Sequence, residues 1–282
     1  MRKDWCTVID KLPSWRTGQG GAPGPAASGG GETLRLVRAR RLSRAHRLRR
    51  QWEGEDLDLN AAIELMVAQR ARMAIDPRLF IRSANEARSC SVLVLLDLSE
   101  STNDPLDTEG ACLLDLEKQA ALLLARSIAG GADRIAIHGF CSNTRSEVSN
   151  YRLLEFGAPL DGMAEAMIAS APARHSTRMG AALRHAMSAF AHEPSQHRIV
   201  LLVTDGAPSD VDVHDPRHLV EDARMAVHEA RGAGIQVHCL AVDAMADAYL
   251  RRIFGWGHFD IVDDARALPS RLCRLYARLS AA

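Results

Sequence analysis

The chain has 282 residues, in which 35 Lys and Arg balance 35 Asp and Glu, 47% of residues are hydrophobic and 5% aromatic. That is a globular composition, long enough for one large domain or a medium domain with an extension, and a formal charge of zero argues against a uniformly basic surface for nucleic acid. No apolar run reaches the eighteen or so residues of a membrane helix, and no hydrophobic signal segment opens the chain; the expectation is a cytoplasmic protein with no membrane partner.

Charge is unevenly placed. Residues 1–55 hold twelve Lys and Arg against five Asp and Glu, a net of +7, which leaves −7 on the rest. Residues 18–31 (GQGGAPGPAASGGG) have too little apolar surface to offset chain entropy and read as a flexible linker. Residues 34–50 follow with eight arginines and no acid. Leu34, Val37, Leu42 and Leu48 give them a weak helical stripe, read as a solvated basic helix or, failing that, a docking surface for an acidic partner. Residues 57–72 form an amphipathic pattern with Leu59, Ile63, Met66 and Val67 on one face and Asp58 or Asn60 as cap.

Beyond residue 88 the period changes. Continuous aliphatic runs at 91–96, 134–140, 198–204 and 235–242, with a shorter one at 259–262, are those of strands covered on both faces. Helical patterns at 114–129, 179–190, 219–230, 246–254 and 267–279 alternate with them. The pattern predicts an α/β fold with an open, doubly wound, mostly parallel sheet flanked by helices. The chain divides into a largely irregular, flexible basic extension (1–55), a lead-in helix (56–87) and the α/β domain (88–282). The cysteines Cys6, Cys90, Cys112, Cys141, Cys239 and Cys273 lack C-x-x-C spacing and read as buried thiols.

In such sheets ligands bind outside the carboxyl ends of the strands. The first long run ends in Asp97, Ser99 and Ser101, whose alternate spacing can curl three oxygens around one point, and the third ends in Asp205. Thr177 lies in a loop before a helix and can bring a hydroxyl to the same place. An all-oxygen set suits a hard divalent cation: Mg²⁺, or else Ca²⁺ or Mn²⁺. No phosphate-binding glycine loop follows any strand, so ATP, if used, comes with a partner. No nucleophile elbow surrounds Ser99, and the histidines show no paired metal spacing.

The order Asp97-x-Ser99-x-Ser101, loop Thr177, then Thr204-Asp205-Gly206 resembles the metal-ion-dependent adhesion site of von Willebrand factor A domains, which have a Rossmann-like fold. The stretches 96–103 and 204–215, with 54–59 before them, look like the CbbO/NorD proteins, and residues 4–8 look closer to CbbO; the chain could then be the C-terminal part of a longer protein. His175 and Ser176 stand where that family often has glycines. The resemblance implies Asp97, Ser99, Ser101, Thr177 and Asp205 as metal ligands; Glu100, Thr102 and Asn103 read as rim residues that shape a partner contact, and the closely spaced Asp210, Asp212 and Asp215 as a polar partner-facing loop in preference to a second metal site. It further implies a bacterial, non-enzymatic adaptor that joins a hexameric MoxR-type AAA+ ATPase, CbbQ-like, to a target enzyme and activates it. Rubisco, and hence carbon fixation, is the favoured target, with nitric oxide reductase in a NorD-like role as the alternative. The target would present an acidic residue to the open position of the metal. A third reading, a Mg²⁺-dependent phosphoesterase with Asp97 as nucleophile, is weakened by Ser99, where such enzymes carry a second aspartate, and by a total of three lysines.

Overall fold

The computed structural model describes residues 6–11, 44–71, 73–74, 76–86, 89–105, 112–243 and 245–281. The chain falls into two compact units, Arg41–Arg88 and the remainder. The predicted linker at 18–31 lies outside the described residues.

The first strand, β1 (Val8–Lys11), is part of the large unit. It pairs in parallel with the strand at 147–154, and Asp10 accepts hydrogen bonds from Asn150 Nδ2 (2.9 Å) and pairs with His185 Nε2 (2.9 Å). A stretch expected to belong to a flexible extension is therefore fixed, because four backbone pairings and one shared carboxylate offset the entropy of ordering it.

The small unit holds β2 (Arg44–Gln51), β3 (Asp56–Leu57), helix α1 (Leu59–Ala71) and β4 (Phe80–Glu86). The strands form an antiparallel sheet in the order β2-β4-β3. β2 corrects the helical reading of its segment: with few apolar side chains to bury, ladder pairing to β4 outweighs a weak helical stripe. Asp58 caps α1 through the amides of Asn60 (3.2 Å) and Ala61 (3.4 Å). The apolar face of α1 is exposed at Leu59, Ile63, Met66 and Val67; only Ala61 of this helix is buried.

The large unit continues with β5 (Cys90–Asp97), a 3₁₀ turn (Glu100–Asn103), α2 (Leu113–Ile128), β6 (Arg134–Thr144), β7 (Glu147–Leu154), α3 (Gly162–Ala169), α4 (Met179–Ser188), β8 (His197–Thr204), α5 (Pro216–Gly232), β9 (Ile235–Ala241), α6 (Asp247–Phe254), β10 (Phe259–Ile261) and α7 (Leu268–Leu279). The sheet order is β1-β7-β6-β5-β8-β9-β10. β6, β5, β8, β9 and β10 run parallel, and β7 turns back antiparallel to β6.

Every residue of β5 is buried, and its two faces feed two cores. Val92, Val94 and Leu96 pack with residues of α2 and α7; Leu93 and Leu95 pack with residues of α4, α5 and α6. A slip of one residue would exchange these faces, so the aliphatic pattern pins the register and with it the height of Asp97 at the strand end. The register puts Asp97 opposite Phe140 on β6 and Leu96 opposite Val203 on β8, so β5 and β8 end side by side.

Helices α4 and α5 come close together at Gly180. A Cβ there would sit 2.0 Å from Asp222 Oδ2 and 3.0 Å from the Asp222 carbonyl carbon. Asp222 is itself buried and pairs with Arg184 at 2.9 Å. Gly180→Ala gains helix propensity of about 1 kcal/mol but overpacks this contact at a cost of about 1–3 kcal/mol. The expected outcome of denaturant unfolding is a net loss of stability; a gain would show that the helices can move apart freely.

Candidate metal site

Asp97 closes β5 and is fully buried. Its carboxylate is held from three directions by neutral donors. The Ser99 amide donates to Oδ1 (3.0 Å), Thr204 Oγ1 at the end of β8 donates to Oδ2 (2.7 Å), and Thr177 Oγ1 lies 3.2 and 3.1 Å from the two oxygens. No cation of the chain pairs with it among the described residues. Burial first, and the charge of Asp205 second, push the Asp97 carboxyl up to about 7, against which the hydrogen bonds from Thr204 and Ser99 act.

Ser99 is buried, and its Oγ lies 3.2 Å from Ser101 Oγ, so the two hydroxyls share one side of the site. Ser101 is exposed and hydrogen-bonds Asp205. Asp205 is half-buried; burial raises its pKa, the Ser101 bond opposes this, and the charges of Asp104 and Asp243 raise it further. Thr177 reaches the site because its loop is tied by backbone to two neighbours. Arg174 N donates to Leu98 O (2.7 Å), Glu100 N donates to His175 O (3.0 Å), and Thr177 and Ser209 exchange amide bonds of 3.0 and 2.9 Å. His175 takes φ of +62°, the left-handed region that favours glycine, at the place where the sequence departs from the glycines of the resembled motif.

The structure brings all five sequence-derived ligands, Asp97, Ser99, Ser101, Thr177 and Asp205, to one end of the β5/β8 pair. The partner-facing residues divide. Glu100 and Asn103 are exposed beside the site, whereas Thr102 is buried and its Oγ1 donates to Ser99 O (2.8 Å), so it braces the turn from below. Asp210 is buried and Asp212 half-buried. Asp210 accepts from Arg178 Nε (2.9 Å), with both side chains wholly buried, and Asp212 pairs with Arg178 Nη2 and with Arg145 Nε (3.2 Å). These two aspartates neutralise a buried arginine and fasten the loop after β8 to the start of α4; a surface role for them, expected from their spacing, gives way to this pairing.

Sequence reasoning missed Thr204 as a tether, Arg178 as a clamp and Glu117. Glu117 lies on α2, fully buried. Its signal was available: it stands in the inward stripe with Leu113, Ala120 and Leu124, at helical spacing.

Two carboxylates with raised pKa values and three hydroxyls make an oxygen-rich, charge-deficient set that fits a hard divalent cation. Among the described residues no three His, Cys, Asp or Glu side chains converge as metal ligands, so any cation here is held by hydroxyls as much as by charge. Among the same residues no helix is long and apolar enough to cross a membrane.

A family model, the von Willebrand factor type A domain, matches residues 91–271. The chain is 37% identical over 233 residues to Protein NorD of Brucella melitensis biotype 1, covering 83% of this chain and 36% of that one. It is 35% identical over 233 residues to an uncharacterized protein of Pseudomonas aeruginosa, covering 83% of this chain and 38% of that one. The chain thus spans little more than a third of the length of these curated relatives. Among solved structures, the PilB minor pilin of Streptococcus sanguinis superposes with a TM-score of 0.56 at 14% identity, covering 71% of this chain and 64% of that one, a likeness of fold alone. With its sheet order and a match over most of the α/β unit, this chain belongs to the von Willebrand factor type A domain family.

Proposed function

We propose that this chain is a metal-dependent protein-binding adaptor of the NorD/CbbO kind, with no catalytic residues of its own, which joins a MoxR-type AAA+ ATPase to a target enzyme for its activation. The observation that carries the reading is the convergence of Asp97, Ser99, Ser101, Thr177 and Asp205 at the carboxyl edge of the sheet, with Asp97 ringed by hydroxyl and amide donors and unpaired with any basic side chain among the described residues. Mg²⁺ bound there supplies a positive charge at the surface and an open position. A partner carboxylate fills that position, so the cation bridges two proteins.

The residues argue against the phosphoesterase. Asp97 as nucleophile would have to approach substrate, yet it is fully buried and its oxygens are engaged by Ser99, Thr177 and Thr204. Between the two targets, the relatives bearing the name NorD favour the NorD-like role, for which the family resemblance implies nitric oxide reductase. The preference for Rubisco rests on residues 4–8, of which 4 and 5 lie outside the described residues, and on no relative reported above. Nitric oxide reductase is therefore the target to test first.

Asp97→Ala removes the central carboxylate and leaves a small void at the buried strand end, with the aliphatic faces of β5 untouched. The expected outcome is loss of Mg²⁺ binding by calorimetry and of Mg²⁺-dependent retention of the ATPase and target in pull-downs, with an unchanged far-ultraviolet spectrum. Retained partner activation in a variant shown to bind no metal would overturn the bridge.

The metal-free protein has a characteristic pH dependence. In the folded state Asp97 keeps its proton up to about 7, whereas the unfolded chain releases it near 3.8. The folded state binds the extra proton between those values, so stability is highest at the acidic end and falls as pH rises from about 4 to about 7. Melting temperatures in chelator should decline over that window, and saturating Mg²⁺ should flatten the decline by holding the carboxylate ionised. A metal-free protein that instead grows more stable from pH 5 to 7 in step with this group would contradict the assignment.

A further inference from the structure

We propose that Glu117 is a third carboxylate of the cation site, one that strengthens divalent binding from beneath the ligand shell and is not itself a surface ligand. The proposal deepens the metal reading above and rests on it.

Helix α2 begins at the sheet edge where β5 ends and packs against β5 and the 3₁₀ turn that carries Ser101. Glu117, in its second turn, is 0% exposed. Neither carboxyl oxygen has a hydrogen-bond partner among the described residues. Lys118, the next residue, directs its ammonium to Asp115 at 3.8 Å. A buried carboxyl without a donor is costly, and an apolar side chain would fill the same space without that cost. Glu117 makes sense where something absent from the bare chain satisfies it.

The electrostatics indicate what that is. Burial dominates the raised pKa of Glu117, and the next two causes are the charges of Asp97 and Asp205, the two carboxylates of the site. Three acidic groups thus lie within electrostatic reach of one another, with Lys118 the one basic group that acts on Glu117 and the weakest of its influences. A divalent cation against Asp97 and Asp205 offsets this repulsion and favours the ionised form of all three acids. Because no three acidic side chains among the described residues converge as direct ligands, Glu117 acts through its field and through hydration rather than by direct ligation. It adds negative charge where Ser99, Ser101 and Thr177 add none.

The test is Glu117→Gln, which keeps the shape and removes the charge. Calorimetric titration of chelator-stripped protein with Mg²⁺ and with Mn²⁺ should show a Kd weaker by about tenfold or more than in the unaltered protein, in the range found for outer-shell partners of metal sites. The stripped variant should melt at the same or a higher temperature, since it loses only a buried carboxyl that has no donor among the described residues. Glu117→Leu, an apolar filler, should give the same loss of affinity and serves if the amide is not tolerated. Equal Kd values in variant and unaltered protein would overturn the proposal, as would a lower melting temperature of the stripped variant with unchanged Kd, which marks a purely structural residue. Loss of binding in Asp97→Ala with full binding in Glu117→Gln would sink this inference and leave the metal site standing. Absence of binding in the unaltered protein would sink both.

Discussion

A carboxylate placed at the end of a fully buried strand is the constraint around which this domain is arranged. Asp97 cannot be moved toward solvent without breaking the register that gives β5 two apolar faces. It cannot be neutralised by a nearby base either, for a salt bridge would occupy the oxygens a ligand must use. The chain surrounds it with uncharged donors: an amide from its own loop, a threonine from β8 and a threonine from the loop before α4. Each such bond contributes about 1 kcal/mol, enough to hold the geometry but too little to cancel the charge. The bare site is therefore pre-organised and electrostatically incomplete at the same time.

Keeping Thr177 in that ring takes a second device. Arg178 is wholly buried, and one guanidinium meets Asp210 while also reaching Asp212, which Arg145 holds from the β6–β7 hairpin. A buried pair of this kind gives little net stability, because desolvation offsets the attraction, but removing one partner strands the other. Its effect here is positional. The mutual backbone bonds of Thr177 and Ser209, together with this clamp, make the β8–α5 loop and the start of α4 one rigid piece. The strained backbone of His175 sits within the same piece, over-determined by bonds on both sides.

What could be read from the sequence follows from which interactions are local. Parallel strands buried on both faces leave unbroken aliphatic runs, so β5, β6, β8 and β9 were plain, and the residues just past them had to lie at the ligand-binding edge. β7 (EVSNYRLL) mixes polar residues among its apolar ones and so offers no such run, although most of it is buried; β1 is too short and too polar to announce itself. Ser99, Ser101 and Asp205 were legible from strand ends. Thr102 was not separable from its exposed neighbours, because burial of one side chain in a four-residue turn depends on what lies beneath it. Asp210 and Asp212 misled for the opposite reason: a run of acids looks solvent-facing until a buried arginine 32 residues upstream is brought to Asp210 by the fold. Glu117 carried its signal in its phase along α2, but the meaning of that phase needed Asp97 and Asp205 nearby.

The uneven charge of the chain takes on a definite sense at this edge. Asp104 and Asp243 bear on Asp205, and Glu100 is exposed beside them. Without a cation, the edge repels any acidic side chain a partner might offer. Binding of one divalent ion in this group, as proposed above, would reverse the local sign at a single point while the surrounding rim stays acidic. A partner would then need a carboxylate aimed at the ion and neutral or basic groups around it, which is more selective than attraction to a broadly positive patch. Hydroxyl ligands suit this arrangement, because each one left uncharged keeps more of the ion's charge available to the partner, while a buried acid such as Glu117 can secure the ion from behind without competing for its open face.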